Sequence, residues 1–305
     1  MLKLHRFPFL AMGTECELQL YVRSESEASA AALQAMEEVS RIEARYSRYR
    51  DDSVLSEINR KAAQGDPFHP DEETAALLDY AWACHRQSGG LFDITSGVLR
   101  RAWDFSSGRL AKQNELDALL PLVGMDNIRW ERSILSFDIP GMELDFGGIA
   151  KEYAADQAAA VCAAAGIEHG LVELGGDIAV IGPHPDSSPW LIGIRHPRRP
   201  DEATAMVEIS RGGIASSGDY ERFFVANGKR YCHLLDPHDG WPVSGLSMVS
   251  VIAEQCLVAG SLATIAMLKG ENGKQWLSGT GVPHLWVDEA GNFGGNIDPI
   301  IQEKC

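Results

Sequence analysis

Residues 144–177, LDFGGIAKEYAADQAAAVCAAAGIEHGLVELGGD, carry the pattern that decides the fold. The first three residues are typical of a strand end, and the glycine pair at 147–148 turns the chain into a helix. In that helix the apolar side chains follow helical spacing, at Ala154, Ala158, Val161, Cys162 and Ala165. Gly166 stands where a left-handed helix cap is expected. A short buried strand is predicted at 171–174, and it ends in the turn GGD (175–177).

The two glycine pairs flank one helix, and each lies at a strand end. Glycine lets backbone N–H groups approach a ligand, and a helix N-terminus adds unpaired N–H groups and a partial positive charge. Lys151 in the first helical turn opposes the helix dipole, so its presence favours an anion nearby. These features together suit a phosphate group. The alternative stays open that the glycines serve strand–helix packing and Lys151 is a solvated surface residue.

The charge of the chain narrows the classes of partner. Its 305 residues include 27 Lys and Arg against 43 Asp and Glu, which gives a formal net charge of −16. No basic stripe offsets this excess, so neither nucleic acid nor an anionic membrane surface is expected as a partner. With 45% hydrophobic and 23% charged residues, the composition is typical of a soluble globular protein.

The cysteines and the N-terminal residues indicate in which cellular compartment the protein is expected. The six cysteines are scattered and show no CxxC or metal-ligand spacing, so a disulfide framework is not expected: 16, 84, 162, 232, 256 and 305. The first 15 residues lack a continuous apolar segment because Arg6, Pro8 and Gly13 interrupt it. No run is long enough to span a bilayer. A cytoplasmic location is expected, or a periplasmic one if a leader has been removed.

Periodicity along the rest of the chain predicts an α+β fold. Helical patterns cover 25–47, 71–88 and 256–269. Alternating or apolar runs predict strands at 16–22, 190–194, 205–209, 222–226, 230–235, 248–253 and 285–287. Turns are predicted at 182–183 and 212–213, and Asn227-Gly228 indicates a hairpin. Hairpins mixed with isolated helices favour mixed or antiparallel sheets, and without a linker we expect one domain over residues 1–305.

Several short motifs occur in order along the chain. They are MGT (12–14), YRDDS (49–53), FDITSG (92–97), the turn and helix at 145–156, GGD (175–177), SGDY (217–220), HLLDP (233–237) and the stretch 259–264. With these motifs the chain resembles the FAD:protein FMN transferase family, also called the ApbE family and once associated by name with thiamine biosynthesis. The resemblance extends from Met12 to about Gly270. Each motif is weak alone, but their common order is specific.

The resemblance implies a two-lobed α+β fold of the T-fold-like kind, with FAD held in a cleft between the lobes. It also implies Mg²⁺-dependent chemistry, in which a Thr or Ser hydroxyl of a partner protein attacks the diphosphate of FAD. AMP then leaves, and FMN remains on the partner as a phosphoester. Some members of the family instead hydrolyse FAD to FMN and AMP, and others mainly bind it. Cleavage of a diphosphate depends on positioning and charge neutralisation more than on covalent catalysis by the enzyme.

The family pattern also assigns residues to the ligand. It places FAD contacts at Met12, Tyr49, Leu91, Phe92, Asp93, Asp145, Lys151 and Leu234. Met12 and Tyr49 would pack on the flavin or adenine ring, and Lys151 would neutralise a phosphate. The two aspartates would accept hydrogen bonds from polar edges of the ligand. In the alternative interpretation Met12 and Phe92 are core residues. Asp93 would then be a turn cap and Tyr49 a surface aromatic.

His233 is the candidate catalytic residue. It follows a predicted strand and precedes the turn at 236–240. The near-neutral pKa of histidine suits a base that accepts the proton of the incoming hydroxyl. The alternative is a structural histidine that is hydrogen-bonded into the Asp236-Pro237 turn, and the sequence leaves both interpretations open.

The metal site is where the chain departs from the family. The family usually has ADALAT at the start of the penultimate helix, and its Asp and Thr join a backbone carbonyl around Mg²⁺. This chain has AGSLAT at 259–264. Thr264 is retained and the carbonyl of Gly148 remains available, so these two are the expected metal-binding residues. The carboxylate position, however, is Gly260.

This departure bears directly on turnover. Mg²⁺ is normally held by at least one carboxylate together with substrate phosphates. The sequence therefore predicts weak Mg²⁺ binding and slow turnover, with Ser261 and Glu254 as nearby candidates to compensate. Gly260→Asp is expected to tighten the metal. A second departure is Glu152, at a position where the family commonly has Gly.

The leading function is therefore FAD binding with FMN transfer to a partner protein. One alternative is a flavin-binding protein that has lost catalysis, for which Gly260 is the main argument. The other is a FAD pyrophosphatase, in which water replaces the protein hydroxyl. Motifs of unrelated hydrolases are missing from the sequence, including a GxSxG elbow, a Walker loop and HExxH.

Overall fold

The computed structural model of the chain describes residues 1–297. Its α-helices are, in chain order, α1 (Glu25–Tyr46), α2 (Val54–Gln64), α3 (Glu72–Ser88), α4 (Gln113–Leu119), α5 (Ala150–Ala164), α6 (Cys256–Leu268) and α7 (Asn272–Thr280). Its strands are β1 (Lys3–Ala11), β2 (Thr14–Val22), β3 (Ile128–Trp130), β4 (Leu135–Phe137), β5 (Gly170–Leu174), β6 (Asp177–Gly182), β7 (Trp190–His196), β8 (Arg199–Ile209), β9 (Gly212–Gly218), β10 (Phe223–Ala226), β11 (Lys229–Cys232), β12 (Leu246–Ala253), β13 (His284–Asp288) and β14 (Phe293–Gly295).

One antiparallel sheet of eight strands organises the molecule. Its strand order is β1-β2-β5-β6-β9-β12-β13-β14, and each neighbouring pair is antiparallel. The remaining strands form three two-stranded pairs, β3–β4, β7–β8 and β10–β11. The α+β class with antiparallel sheets is therefore confirmed.

Apolar residues on both faces of this sheet are buried. Helices α1, α5 and α6 cover one face, where Leu18 and Leu20 of β2 have no exposed surface. The β7–β8 hairpin covers the other face, and its side chains alternate between buried and exposed along β7. Full burial of one such leucine is worth about 1.5–3 kcal/mol, so these contacts stabilise the packing of the helices and the hairpin on the sheet.

A third, smaller apolar cluster lies around Trp103. The indole ring packs with Phe224 of β10 and Leu116 of α4. Its Nε1 donates a hydrogen bond to the carbonyl of Gly240 at 2.8 Å, which satisfies the polar atom of this buried side chain. The cluster thereby ties the β10–β11 hairpin to the turn that follows residue 236.

The helix at the centre of the opening sequence is confirmed. It runs over Ala150–Ala164, and Gly166 follows with φ of +86°. The amide of Ile167 donates to the carbonyl of Cys162 at 3.1 Å, which is the hydrogen bond of a Schellman cap. The strand predicted at 171–174 is also confirmed within β5.

Three local predictions were wrong or incomplete. The glycines at 212–213 begin β9, directly after the bend at 210–211, and position 213 needs glycine because a Cβ there would lie 2.6 Å from Cys256 at the start of α6. Residues 144–146 do not belong to a strand. Finally, β1 was missed: it is an edge strand that contains Pro8, which lacks a backbone donor and is tolerated at an edge.

Two further expectations concern the chain as a whole. Across residues 1–297, none of the helices combines the length and apolar character needed to cross a membrane. Cysteines 16, 84, 162, 232 and 256 are free and buried, as expected without a disulfide framework. Cys305 lies outside the described residues.

Candidate active site

The segment that leads into α5 is fixed by side-chain contacts. The Asn59 side chain accepts a hydrogen bond from Leu144 N at 2.7 Å and donates one to Leu144 O at 3.0 Å. These two bonds replace the ladder bonds of a strand. Gly148 then lies against Phe92, since a Cβ on Gly148 would approach the ring to 3.3 Å. The backbone at the start of α5 is thus held in one position.

The second glycine turn faces the β1–β2 hairpin. Gly175 and Gly176 have φ of +59° and +90°, a conformation that favours glycine. A Cβ on Gly175 would lie 2.6 Å from Thr14 Oγ1, so a larger residue would collide with the hairpin. Met12 lies at the hairpin tip with φ of +52° and packs partly buried against the main core. Met12 is therefore placed close to the turn at 175–176.

Lys151 and Asp177 connect the two glycine turns. Lys151 is in the first turn of α5, and its Nζ lies 2.8 Å from Asp177 Oδ2 at the start of β6. The Asp177 side chain is 2% exposed and that of Lys151 is 32% exposed. Burial lowers the pKa of Lys151, but attraction to Asp177 and Glu152 outweighs burial and raises it. Lys151 is therefore a partly buried, permanently charged cation and not a solvated surface residue.

Glu152 is buried beside the same ion pair. It is 8% exposed, and among the described residues its Oε2 has no hydrogen-bond partner. Burial and then repulsion from Asp177 raise the pKa of Glu152, while Lys151 acts in the opposite direction. Two buried carboxyl groups therefore share one neighbouring lysine. When both are ionised, this arrangement destabilises the fold, because one buried negative charge is left without a partner.

Two contacts between α5 and α6 involve carboxylate side chains on one face of α5. Asp156 accepts hydrogen bonds from Cys256 N and Leu257 N, both at 2.9 Å, and so caps the N-terminus of α6. One turn earlier in α5, Glu152 lies against Gly260. A Cβ on Gly260 would lie 2.6 Å from Glu152 Cγ and 2.8 Å from its Oε1. The space for a side chain at position 260 is therefore filled by the Glu152 carboxyl.

This contact corrects three expectations about the metal site. Ser261 does not replace the missing carboxylate, because its hydroxyl donates to Leu257 O at 2.8 Å and accepts from Tyr80 at 3.1 Å. Glu254 does not replace it either, because it is exposed just before α6. Gly260→Asp would not simply tighten a metal, since its side chain would collide with Glu152.

Arginines engage both Asp145 and Tyr49. Asp145 forms ion pairs with Arg48 and with Arg100, the latter at 3.2 Å. Arg48 also donates to the Tyr49 hydroxyl at 2.8 Å. Burial raises the pKa of Tyr49, but hydrogen bonds and charge from Arg48 and Arg222 lower it overall. Tyr49 is 74% exposed, which leaves its ring accessible to a planar ligand.

His233 lies within the field of these cations. Its backbone N–H donates to Arg222 O at 3.0 Å, and its Nδ1 is buried without a hydrogen-bond partner among residues 1–297. Burial, followed by the charges of Arg222, Arg48 and Lys151, lowers the pKa of His233 to about 4. The imidazole is therefore neutral at neutral pH, and a neutral imidazole can accept a proton.

The structural alternative for His233 is not supported by these contacts. The turn after residue 236 is closed by His238, whose Nδ1 lies 2.9 Å from Asp236 Oδ1 and whose backbone N–H donates to the same oxygen at 2.8 Å. The His233 side chain takes no part in that turn. Its role as a base stays a prediction.

Phe92 and Asp93 are more deeply built into the protein than Tyr49. Phe92 is 5% exposed, and its ring lies beside Gly148. The Asp93 carboxylate accepts hydrogen bonds from Thr95 N at 2.7 Å and Met125 N at 3.1 Å. Asp93 is therefore a turn cap, as one interpretation of the sequence had it, and a contact with FAD stays a prediction.

Leu91 and Leu234 are partly buried. Leu91 lines a surface pocket together with Asp236 and Trp276. Leu234 packs against the main core, and its carbonyl accepts from Val243 N at 2.9 Å. Each is adjacent in sequence to a residue of the site, Phe92 or His233, and their contacts with FAD also stay predictions.

The expected metal residues offer oxygen ligands only. Thr264 follows Gly260 by four residues, so both lie on one side of α6, and its Oγ1 is 3.5 Å from Ser217 Oγ. In residues 1–297 no group of three or more His, Cys, Asp or Glu side chains is arranged to hold a metal ion. A hydroxyl, the Gly148 carbonyl and the unpartnered oxygen of Glu152 nevertheless fit a hard cation that retains water or phosphate ligands.

Sequence reasoning did not assign Arg48, Arg222 or Asp177 to the site. Arg48 precedes Tyr49 directly, and Asp177 closes the GGD turn, so both were within or beside recognised motifs. Arg222 had no such signal, because its proximity to Tyr49 and His233 depends on the β10–β11 hairpin.

A family model, a relative of known name and two solved structures all match this chain over most of its length. The ApbE family model matches residues 12–286. The FAD:protein FMN transferase of Vibrio cholerae is 32% identical over 271 residues, which cover 85% of this chain and 80% of the relative. The crystal structure of the ApbE protein from Thermotoga maritima superposes with a TM-score of 0.88 at 30% identity, covering 96% of this chain and 97% of that one. The flavin transferase ApbE from Vibrio cholerae gives a TM-score of 0.85 at 26% identity, with 97% of each chain covered.

Proposed function

This chain belongs to the ApbE family, and from that membership we propose that it transfers FMN from FAD to a hydroxyl group of a partner protein. Relatives named FAD:protein FMN transferase and the fold shared with flavin transferase ApbE support the proposal. The observation that carries it is the position of Lys151, a charged lysine at the start of α5 between two glycine turns.

The diphosphate of FAD is the part of the substrate that this region suits best. The first turn of α5 offers backbone N–H groups, and Lys151 adds a charge that is 32% exposed and therefore open to a ligand. Arg48 and Arg222 add positive charge near Tyr49 and His233. Tyr49 and Met12 supply surfaces for the aromatic rings. The chain's own residues thus bind and orient an anionic dinucleotide.

The proposed reaction exchanges the phosphoanhydride bond within FAD for a phosphoester bond to the acceptor. The hydroxyl oxygen of the acceptor, on a Thr or Ser side chain, attacks the phosphorus atom of the FMN half. The bond between that phosphorus and the bridging oxygen breaks, and AMP departs with the oxygen and the electron pair. The imidazole of His233 accepts the proton of the hydroxyl. Its basicity rises when the diphosphate offsets the cations that lower its pKa.

Mg²⁺, when bound, would neutralise charge on the diphosphate and on the departing AMP. Thr264 and the carbonyl of Gly148 would hold it together with one carboxylate. The alternative of a flavin-binding protein without catalysis depended on Gly260 as a lost ligand. Since the Glu152 carboxyl occupies the space beside Gly260, that argument no longer favours a loss of catalysis.

Calorimetry combined with product analysis tests the proposal. We expect FAD to bind more tightly than FMN, because Lys151 addresses the diphosphate that FMN lacks. We also expect AMP to appear on chromatography when FAD and Mg²⁺ are supplied with an acceptor. Equal affinity for the two flavins, or no binding of either, would overturn the proposal.

A further inference from the structure

The two departures from the family pattern, at positions 152 and 260, are neighbours in space and together move a carboxylate from one helix to the other. The resemblance implies Gly at the first position and Asp at the second, whereas this chain has Glu152 and Gly260. The two residues are in contact across the α5–α6 interface, because a Cβ on Gly260 would lie 2.6 Å from Glu152 Cγ. A carboxylate removed from α6 is thus supplied from α5 into the same space.

The Glu152 carboxyl is buried and still has an available oxygen. The residue is 8% exposed, and its Oε2 has no hydrogen-bond partner among the residues that the structure describes. Buried carboxylate oxygens are normally satisfied by donors or cations. An unpartnered oxygen at this depth therefore indicates a ligand that the protein itself does not provide.

The surrounding charges favour a cation as that ligand. Glu152 and Asp177 are both buried carboxyl groups, while Lys151 is the positive side chain paired with Asp177, at 2.8 Å. With both carboxyls ionised, one lysine leaves an excess negative charge in a poorly hydrated place, which is costly. A divalent cation would offset this excess.

The two expected oxygen ligands, Thr264 and the Gly148 carbonyl, belong to the same two helix segments that meet at Glu152 and Gly260. Thr264 lies on the side of α6 that carries Gly260, because the two are four residues apart. Gly148 closely precedes α5, whose first turn contains Glu152. Asp156 caps α6 from the next turn of α5 and so fixes Glu152 against Gly260.

We propose that Glu152 is the carboxylate ligand for Mg²⁺ in this protein and replaces the Asp that the family usually has at position 260. The role of the metal in catalysis rests on the proposed function, but metal binding itself can be measured without turnover. It assigns to α5 a ligand that the family usually places on α6.

Titration of the folded protein with Mn²⁺, followed by the electron paramagnetic resonance of the free ion, measures the site directly. We expect saturable Mn²⁺ binding that Mg²⁺ displaces, and a loss of affinity of roughly tenfold or more in Glu152→Gln. Glu254→Gln is the matched control, since it makes the same chemical change at an exposed residue near α6. The control should bind Mn²⁺ as the wild type does.

Exchange of the two positions provides the second test. Gly260→Asp alone should not tighten Mn²⁺, because its side chain collides with Glu152. Glu152→Gly alone should weaken Mn²⁺ binding by roughly tenfold or more. It also serves as the test variant in case Glu152→Gln does not fold. The double variant Glu152→Gly with Gly260→Asp restores the usual family pattern and should recover Mn²⁺ binding.

The outcomes separate this proposal from the proposed function. Unchanged Mn²⁺ affinity in both Glu152 variants, or no Mn²⁺ binding by the wild type, would overturn the role of Glu152. If the wild type still releases AMP from FAD in that case, the proposed function stands. Conversely, Mn²⁺ binding that depends on Glu152, in a protein that never cleaves FAD, would support the ligand and contradict the transferase.

Discussion

The Nζ atom of Lys151 and the Oδ2 atom of Asp177 lie 2.8 Å apart and join the start of α5 to the start of β6. The pair holds the ammonium group between two glycine turns while leaving it partly exposed. Asp177 also accepts a hydrogen bond from Ser216 N at 3.2 Å, which fixes the carboxylate in β6. The lysine is thus positioned before any ligand arrives, which reduces the cost of ordering it on binding.

Lys151→Ala should weaken FAD binding by about 1.5–3 kcal/mol, the range for a charge-assisted hydrogen bond. It should affect FMN less, because FMN lacks the diphosphate. Isothermal calorimetry with both flavins measures the difference. Lys274→Ala is the control, because that lysine also forms salt bridges, with Glu271 and Asp288, but on another part of the surface. Unaltered FAD affinity in Lys151→Ala would show that Lys151 does not bind the diphosphate.

His233→Asn should lower the rate of AMP release by roughly a hundredfold or more, as expected when a general base is lost. FAD affinity should change little, because the imidazole is assigned to the acceptor hydroxyl. Initial rates at saturating FAD, together with calorimetry, separate the two effects. A variant that folds and turns over at the wild-type rate would return His233 to a structural role.

His233 should also make stability depend on pH. Its pKa is 6.5 in an ordinary environment and about 4 in the fold, so between these values the unfolded state binds more protons. The free energy of unfolding should therefore fall as the pH falls through this window, with a slope of at most about 1.4 kcal/mol per pH unit.

Urea unfolding at neutral pH and near about pH 5 checks this dependence, since that lower pH lies between the two pKa values. His233→Gln should flatten it, whereas His69→Gln, at an exposed histidine, should leave it unchanged. The same slope in wild type and His233→Gln would contradict the assignment.

Asp156→Ala should destabilise the protein by about 0.5–2 kcal/mol through loss of the cap on α6. It should also lower the affinity for Mn²⁺, because the cap holds α6, and with it Gly260, against Glu152. Asp71→Ala is a matched comparison, since Asp71 caps α3 by accepting from Thr74 N at 2.9 Å. Both variants should lose stability, but only Asp156→Ala should lose metal affinity. Equal metal affinity in the two variants would show that the α5–α6 contact does not position the site.

Gly260→Ala tests the close contact between position 260 and Glu152 without adding a charge. Its methyl group would lie 2.6 Å from Glu152 Cγ, so we expect a loss of about 1–3 kcal/mol of unfolding free energy, typical of overpacking. In a Glu152→Gly background the same substitution should cost less, because the space is then open. The four proteins form a double-mutant cycle in urea unfolding. Additive effects would mean that the two residues are not in contact.

Local patterns predicted much of the fold. The apolar spacing around Ala154 and Ala158 predicts α5 because it reflects burial along one helix face, and Gly166 predicts its end because glycine adopts positive φ at little cost. The Asn227-Gly228 hairpin is confirmed for the same reason, with φ of +52° and +74°. Each of these signals depends on neighbours in sequence.

The remaining features depend on contacts between distant parts of the chain. Gly213 looked like a turn residue because its real constraint, the approach of α6, lies far along the sequence. For the same reason Glu152 and Gly260 appeared as two unrelated departures until the α5–α6 packing placed them in contact. Arg222 joined the site only through the β10–β11 hairpin.

The ratio of AMP released to FMN attached to protein decides whether this chain is a transferase. The chain is incubated with FAD, Mg²⁺ and a candidate acceptor protein, AMP is measured by chromatography, and attached flavin is measured by fluorescence after denaturing electrophoresis. Transfer predicts equal molar amounts of AMP and attached FMN, with no free FMN, and no attachment to an acceptor whose Thr or Ser has been replaced by Ala. AMP accompanied by free FMN, with no attached flavin, would contradict the transferase and show a pyrophosphatase instead.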